Sequence, residues 1–176
     1  MNGYFYNLGA VLNSVLRSFP NEDAIRYLDH NYSFSELCSI TIEWVDFLKS
    51  KGVSINYPIG IKSDKSINSY CSVVACNLLG VAYAHFDPHS PLEREDFILD
   101  TLNPTLMLNF VDGTLTVFSN KITEKLPDYS HKTFHSVTFL ENKIASLCEY
   151  IHGETTAYIM FTSGSTGKPK GVAISQ

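Results

Sequence analysis

The chain predicts an α/β fold: a mainly parallel sheet with helices on both faces. Three observations carry that expectation. Short apolar runs of strand length alternate with stretches whose apolar residues recur at i, i+3 and i+4. That alternation is the pattern of βαβ units, which pair their strands in parallel. The 176 residues fit one domain, or one and a fraction, and a chain of this size buries roughly 70% of its unfolded surface. Finally, a loop rich in glycine and hydroxyl groups, FTSGSTGKPKG at 161–171, stands between the apolar runs AYIM and VAI. In such folds phosphate ligands gather at the carboxyl ends of strands.

Each element has its own signal. Leu8, Val11, Leu12, Val15, Leu16 and Phe19 share a helical face, and Pro20 stops that helix. AIRYL (24–28) and YSF (32–34) predict two short strands around a turn at Asp29-His30-Asn31. Ser33 and Glu36 have capping-box spacing ahead of a helix carrying Leu37, Ile40, Trp44 and Leu48, which Gly52 closes. PIGIKS (58–63) predicts a strand, and a helix over 67–79 ends at Gly80. VAYAHF (81–86) is the next strand. A helix follows from Pro91 to Leu102, with Glu93, Glu95 and Asp96 near its start, where acidic groups suit the helix dipole. TLMLNFV (105–111) predicts a strand that Asp112-Gly113 turns into TLTVF (114–118). Residues 119–135 are polar and predict no regular element. A helix around Ile144 to Ile151 precedes the strand AYIMFT (157–162), and GVAIS (171–175) is the last strand. There is no internal repeat, low-complexity tract or interdomain linker.

Composition excludes several function classes. With 13 Lys+Arg against 18 Asp+Glu, net charge is -5, which argues against a nucleic-acid groove or an anionic membrane surface as partner. No apolar run approaches the ~20 residues of a membrane span. MNGYFYNLGAV, at the N-terminus, lacks the basic start and apolar core of a secretory signal. Cys38, Cys71, Cys76 and Cys148 form no C-x-x-C pair. Buried free thiols in a reducing cytoplasm are the simplest reading, so a cytoplasmic location is expected. His85, Asp87 and His89 in HFDPH have a metal-ligand look, but Pro88 interrupts it, and a solvated or packed pair is expected, with no metal. His131 and His135 fall in a stretch without helical pattern. Neither Ser163 nor Ser165 fits the G-x-S-x-G nucleophile elbow.

The loop reads as an anion site. Gly164, Gly167 and Gly171 allow positive φ and close backbone approach, and successive amides in such turns converge into a nest. Thr162, Ser163, Ser165 and Thr166 add hydroxyl donors, Lys168 and Lys170 add charge, and Pro169 stiffens the exit. Many donors, no carboxylate and little bulk are what a polyphosphate requires. Two known phosphate patterns nevertheless fail. G-x-x-x-x-G-K-[ST] needs glycine where Thr162 stands and a hydroxyl where Pro169 stands. G-x-G-x-x-G fails because Ser165 and Thr166 follow Gly164 directly before Gly167. The plain alternative is a flexible connection between two strands.

The order T-S-G-S-T-G-K-P-K-G resembles the phosphate-binding signature of adenylate-forming enzymes, the superfamily of acyl-CoA synthetases, luciferases and nonribosomal peptide synthetase adenylation domains. YSFSEL (32–37) is similar to the family's early L-T-Y-x-E-L segment. NLLGVAYAHFDPHSPLEREDFILDTLNPTLML (77–108) resembles its LKAGxAYVPLDPxxPxER stretch. The three fall in the family's order and span nearly the whole chain. The DP…P…ER phrasing is closer to amino-acid-activating adenylation domains than to acyl-CoA synthetases. His85 departs from the family, which usually has proline there.

The resemblance implies a fold and a two-step chemistry. The chain is expected to be the N-terminal part of the large domain of an adenylate-forming enzyme, spanning residues 1–176. A carboxylic acid, an amino acid by the closer likeness, attacks the α-phosphorus of ATP, and the acyl group of the acyl-adenylate then passes to a carrier-protein or CoA thiol. ATP and Mg2+ are the implied cofactors. The loop would hold the leaving phosphates through Thr162, Ser163, Ser165, Thr166 and Lys170, with Gly164, Gly167 and Gly171 as backbone donors or permissive turns. Lys168 ranks below Lys170, because the family tolerates many residues there. The family's acid pocket, its adenine and ribose contacts and its adenylating lysine all belong to segments beyond Gln176, so no catalytic residue is expected within this stretch. The expected partner is a complementary polypeptide carrying the rest of the domain, or a second copy of the chain. A truncated, non-catalytic relative that binds a partner protein is the alternative, and the intact loop argues against it.

Overall fold

Capping chemistry decides where the helices begin in the computed structural model, which describes residues 7–27, 29–130, 134–163 and 169–176. Helix α1 (Leu8–Ser18) starts at Asn7, whose side-chain oxygen accepts from the Ala10 amide at 2.8 Å. The same side chain donates to the carbonyls of Cys148 and Ile151, so one buried amide caps a helix and ties it to residues far along the chain. Helix α2 (Phe34–Ser50) opens on the predicted capping box. The Ser33 amide donates to Glu36 Oε2 at 2.7 Å, and the Glu36 amide donates to Ser33 Oγ at 3.3 Å. Such a box is worth about 1 kcal/mol. Helix α3 (Ile67–Leu79) is capped by Ser66 and ends at Gly80, whose φ of 64° is a left-handed terminus that glycine adopts without strain. Helix α4 (Leu92–Leu102) follows Pro91 without a side-chain cap, and α5 (Val137–Cys148) is capped by Ser136.

Strands β1 (Asp23–Tyr27) and β2 (His30–Ser33) form a separate antiparallel hairpin. The other seven strands make one sheet in the order β7-β6-β5-β3-β4-β8-β9. Its centre is parallel: β3 (Ile59–Lys62) lies between β4 (Tyr83–Phe86) and β5 (Leu106–Asn109), and β4 is followed by β8 (Thr156–Ser163). Antiparallel hairpins finish both edges. On one side β5 turns into β6 (Thr114–Val117) and β7 (Ile122–Lys125); on the other, β8 pairs with β9 (Pro169–Ser175). The α/β class with a mainly parallel centre and helices on both faces is therefore observed.

Strand alternation sorts the core into two layers. Ile59, Ile61, Leu106, Leu108 and Leu115 face α2, α3 and α5 and are buried there together with Leu16, Ile40 and Ile144. Trp44 is the largest wholly buried side chain; its indole N–H donates to Asn68 at 3.1 Å, and Phe47, Phe110 and Tyr129 meet it edge-on. On the opposite face Ala84, Phe86 and Met107 pack against Ile98 and Leu102 of α4. Gly60 belongs to this second layer because a Cβ there would lie 2.8 Å from the Met107 methyl and 3.0 Å from the Phe86 ring.

Three expectations need correction. The stretch 119–135, which predicts nothing regular, contains β7: its alternation is masked because all four β7 residues are exposed. Helix α5 begins at Val137, well before Ile144, and ends at Cys148; Ser136 supplies the start that apolar spacing alone does not reveal. His30 and Asn31 lie in β2, paired with Tyr27 and Arg26, so the β1–β2 turn is tighter than the predicted one.

Candidate active site

The two described ends of the FTSGSTGKPKG segment lie at the carboxyl end of β8, Phe161 to Ser163, and at the start of β9, Pro169 to Gly171. The register sets Phe161 opposite Gly171, Thr162 opposite Lys170 and Ser163 opposite Pro169. Directly opposed residues of an antiparallel pair share a face, with Cβ atoms about 5 Å apart. Thr162 and Lys170 are both exposed, so a hydroxyl and an ammonium project together from the hairpin's root. Gly164, Ser165, Thr166, Gly167 and Lys168 lie outside the described residues.

Gly171 is not a turn residue. It lies within β9, and among the described residues the glycines with positive φ are Gly52, Gly80 and Gly113. Its small size has a packing reason instead. A Cβ at Gly171 would sit 3.3 Å from Ile159 and 3.4 Å from the Phe161 ring, so the glycine gives the cross-strand aromatic its room. Pro169 opens β9, a strand position where a missing N–H is tolerated.

A cavity of about 500 Å3 opens beside this hairpin. Phe86, Ile98, Ile159 and Phe161 line it from the α4 side, and Tyr70, His85, Tyr158 and Met160 from the other. Its origin is topological. Strand β4 pairs with β8 only at Tyr83–Tyr158 and ends at Phe86, so the two strands separate toward their carboxyl ends. Tyr83 and Tyr158 stack at 5.9 Å where they part. His85 rests edge-on against Tyr83 at 5.2 Å, and loss of water lowers its pKa below the ordinary imidazole value, opposed by a hydrogen bond to the Ile61 backbone; it lines the cavity. His89 lies in the turn after β4, where its amide donates to Asp87 at 2.9 Å. Among the described residues no group of three or more His, Cys, Asp or Glu is placed to hold a metal.

Two groups that sequence reasoning did not single out complete the site's charge map. Lys62 at the end of β3 donates to both oxygens of Glu95 at 2.7 Å, with both side chains largely buried. Arg94, one residue before, donates from Nη2 to the Phe161 carbonyl at 3.4 Å. Arg94 and Glu95 stand in the PLERED segment, but nothing in the sequence says which strand each side chain reaches.

The AMP-binding enzyme family matches residues 12–176. The chain belongs to that family. Among curated relatives, tyrocidine synthase 3 of Brevibacillus parabrevis is 30% identical over 157 residues, covering 88% of this chain and 2% of the synthase. Nonribosomal peptide synthetase penN of Penicillium thymicola is 28% identical, covering 94% of this chain and 6% of its own length. The fold is that of the N-terminal subdomain of Klebsiella oxytoca NpsA, solved in complex with 3-hydroxyanthranilyl-AMSN, at a TM-score of 0.71 and 18% identity; the match covers 97% of this chain and 41% of that subdomain chain. VinN, solved with 3-methylaspartate, aligns at a TM-score of 0.67 and 19% identity, over 96% of this chain and 47% of VinN. This AMP-binding chain therefore spans less than half of the solved structures it resembles and a small fraction of the curated synthases.

Proposed function

We propose that this AMP-binding chain is the N-terminal part of an adenylating ligase that activates an amino acid as its acyl-adenylate, for transfer to a carrier-protein or CoA thiol. The carrying observation is the hairpin root: Thr162 and Lys170 are directly opposed on one exposed face, at the sheet end where α/β folds receive phosphates. Hydroxyl and ammonium donors without a carboxylate suit an anion, so the donor set fits the phosphates of ATP. In the adenylation step a carboxylate oxygen bonds to the α-phosphorus and the bond to the β-phosphate breaks, releasing pyrophosphate. Charge grows on the leaving phosphates, and donors fixed in place before reaction stabilise it without reorganising. Thr162, Ser163, Ser165, Thr166 and Lys170 are the side chains assigned to that task, with the amides of Gly164 and Gly167. Magnesium, implied with ATP, would be held largely by the nucleotide's own phosphates. No helix is long and apolar enough to cross a membrane, and the four buried free thiols suit a reducing cytoplasm.

The test is ATP–pyrophosphate exchange across a panel of amino and aryl acids, on a polypeptide joining this chain to the remainder of its adenylation domain. Exchange dependent on one amino acid, or a narrow set, supports the reading. A folded, nucleotide-binding protein that exchanges with no acid in the panel refutes it.

A further inference from the structure

We propose that Arg94 is a positioning residue that fixes the carboxyl end of β8, and with it the root of the β8–β9 hairpin, by clamping the Phe161 carbonyl from the neighbouring helix. The need for a clamp follows from the topology. Beyond Tyr158 no strand among the described residues pairs with β8 on the β4 side, so this edge loses its hydrogen-bond ladder just before Thr162. Backbone carbonyls deprived of a ladder require another donor. The Arg94 guanidinium supplies one at 3.4 Å.

Helix stability does not explain an arginine at this position. Arg94 lies in the first turn of α4, the end of the dipole that disfavours a cation. It has no carboxylate partner within ion-pair distance among the described residues, although Glu93, Glu95 and Asp96 are its neighbours in sequence. Glu95, the best placed of them, gives both oxygens to Lys62. That buried pair anchors α4 to the end of β3, so the helix carrying the clamp is itself held in register with the sheet. Arg94 also lines the cavity between β4 and β8.

The inference rests on the reading of the hairpin as a phosphate site, and the two are separable by experiment. The polypeptide carrying this chain with the rest of its adenylation domain is measured as wild type, Arg94→Met and Arg94→Lys. Amide hydrogen exchange at residues 160–162 and 170–172 should quicken about tenfold in Arg94→Met, as expected for losing one charge-assisted bond, while residues 95–102 of α4 keep their rates. In pyrophosphate exchange the KM for ATP should rise by about the same factor, with the KM for the acid within about twofold. Arg94→Lys, which keeps the charge and a shorter donor, should fall between. Hairpin amides that exchange at the wild-type rate in Arg94→Met overturn the clamp. Faster hairpin exchange with an unchanged KM for ATP upholds the clamp and removes the phosphate reading instead. Should Arg94→Met fail to fold, Arg94→Lys decides: hairpin exchange quickened about threefold supports the clamp, and none overturns it.

Discussion

Lys170 and Lys168 differ by two positions, and that spacing decides their fates. Lys170 lies in β9 opposite Thr162, so the strand fixes where its side chain starts, whereas Lys168 stands where the resembled signature tolerates many residues. An electrostatic stabiliser is effective to the extent that it is fixed before reaction; losing one costs ~10²–10³ in rate. Lys170→Ala should therefore lower the adenylation rate of the complete enzyme far more than Lys168→Ala, measured by pyrophosphate exchange at saturating ATP. Equal, near-wild-type rates would remove Lys170 from the mechanism. A second residue-scale prediction concerns packing. At Gly9, on α1, a Cβ would fall 2.0 Å from the Cys148 sulfur and 2.8 Å from Leu78. Gly9→Ala must push α1 away from α5, and overpacking of this kind costs about 1–3 kcal/mol, against at most about 1 kcal/mol regained from helix propensity. A lowered urea midpoint is expected; an unchanged or raised one would mean that the α1–α5 contact yields freely. Such close packing is not visible in the sequence, where spacing shows which residues share a helical face but not what a missing Cβ makes room for; Gly171, expected as a backbone donor or permissive turn, likewise proved to have a packing reason.

Elements were legible wherever local chemistry and burial agree. The α2 capping box and the α3 boundaries with Gly80 are set by neighbours in sequence, and the structure places them where spacing predicts; the β5–β6 hairpin forms as expected, but β5 ends at Asn109, opposite Thr114, so its connection is longer than Asp112-Gly113 alone. Strand β7 was not legible, since an exposed edge strand needs no apolar alternation and gains its order from pairing with β6. Nor was Asn7, whose cap joins α1 to the carbonyls of Cys148 and Ile151, a tertiary fact with no local signature. The α2–α3 interface carries a prediction of its own. Burial pushes the thiols of Cys38 and Cys71 from the ordinary 9.0 up to about 12 each. Above pH 9 the unfolded thiols lose their protons while the folded ones keep theirs, so the unfolded state binds fewer protons and stability falls as pH rises toward 12. Each thiol contributes a slope of up to about 1.4 kcal/mol per pH unit in that window. Urea midpoints under reductant should be level from pH 7 to 8.5 and decline from pH 9 to 10.5, less steeply in Cys71→Ala. A midpoint that stays level through pH 10.5 would show that the folded thiols ionise as readily as free ones.

At the scale of the molecule the sheet is closed on one side and open on the other. The β5–β6–β7 edge ends in short strands with Thr123, Glu124 and Lys125 outward, a guarded edge. The β8–β9 edge has no such guard. Met160 and Val172 are paired across the hairpin and stand 47% and 45% exposed on the same face, and β9 has no strand beyond it among the described residues. The hairpin's foot is tied down where Gln176 donates to the Asn77 carbonyl and accepts from the Leu8 amide, and its other face packs Ile159 and Phe161 on the α4 layer. An apolar face beside an unpaired edge invites association, which monomeric soluble domains avoid. More than half of each related structure lies outside the portion that shares this fold. The proposed occupant of this face is the remainder of an adenylation domain, on the same polypeptide or a complementary one. The 176-residue chain alone should then self-associate through β9 with rising concentration in sedimentation and give no pyrophosphate exchange. Adding the complementary portion should restore a one-to-one particle and activity, and Val172→Lys should weaken both the self-association and that pairing. A monodisperse monomer at high concentration with full exchange activity and no partner would refute this, because the Met160–Val172 face would then be exposed without consequence.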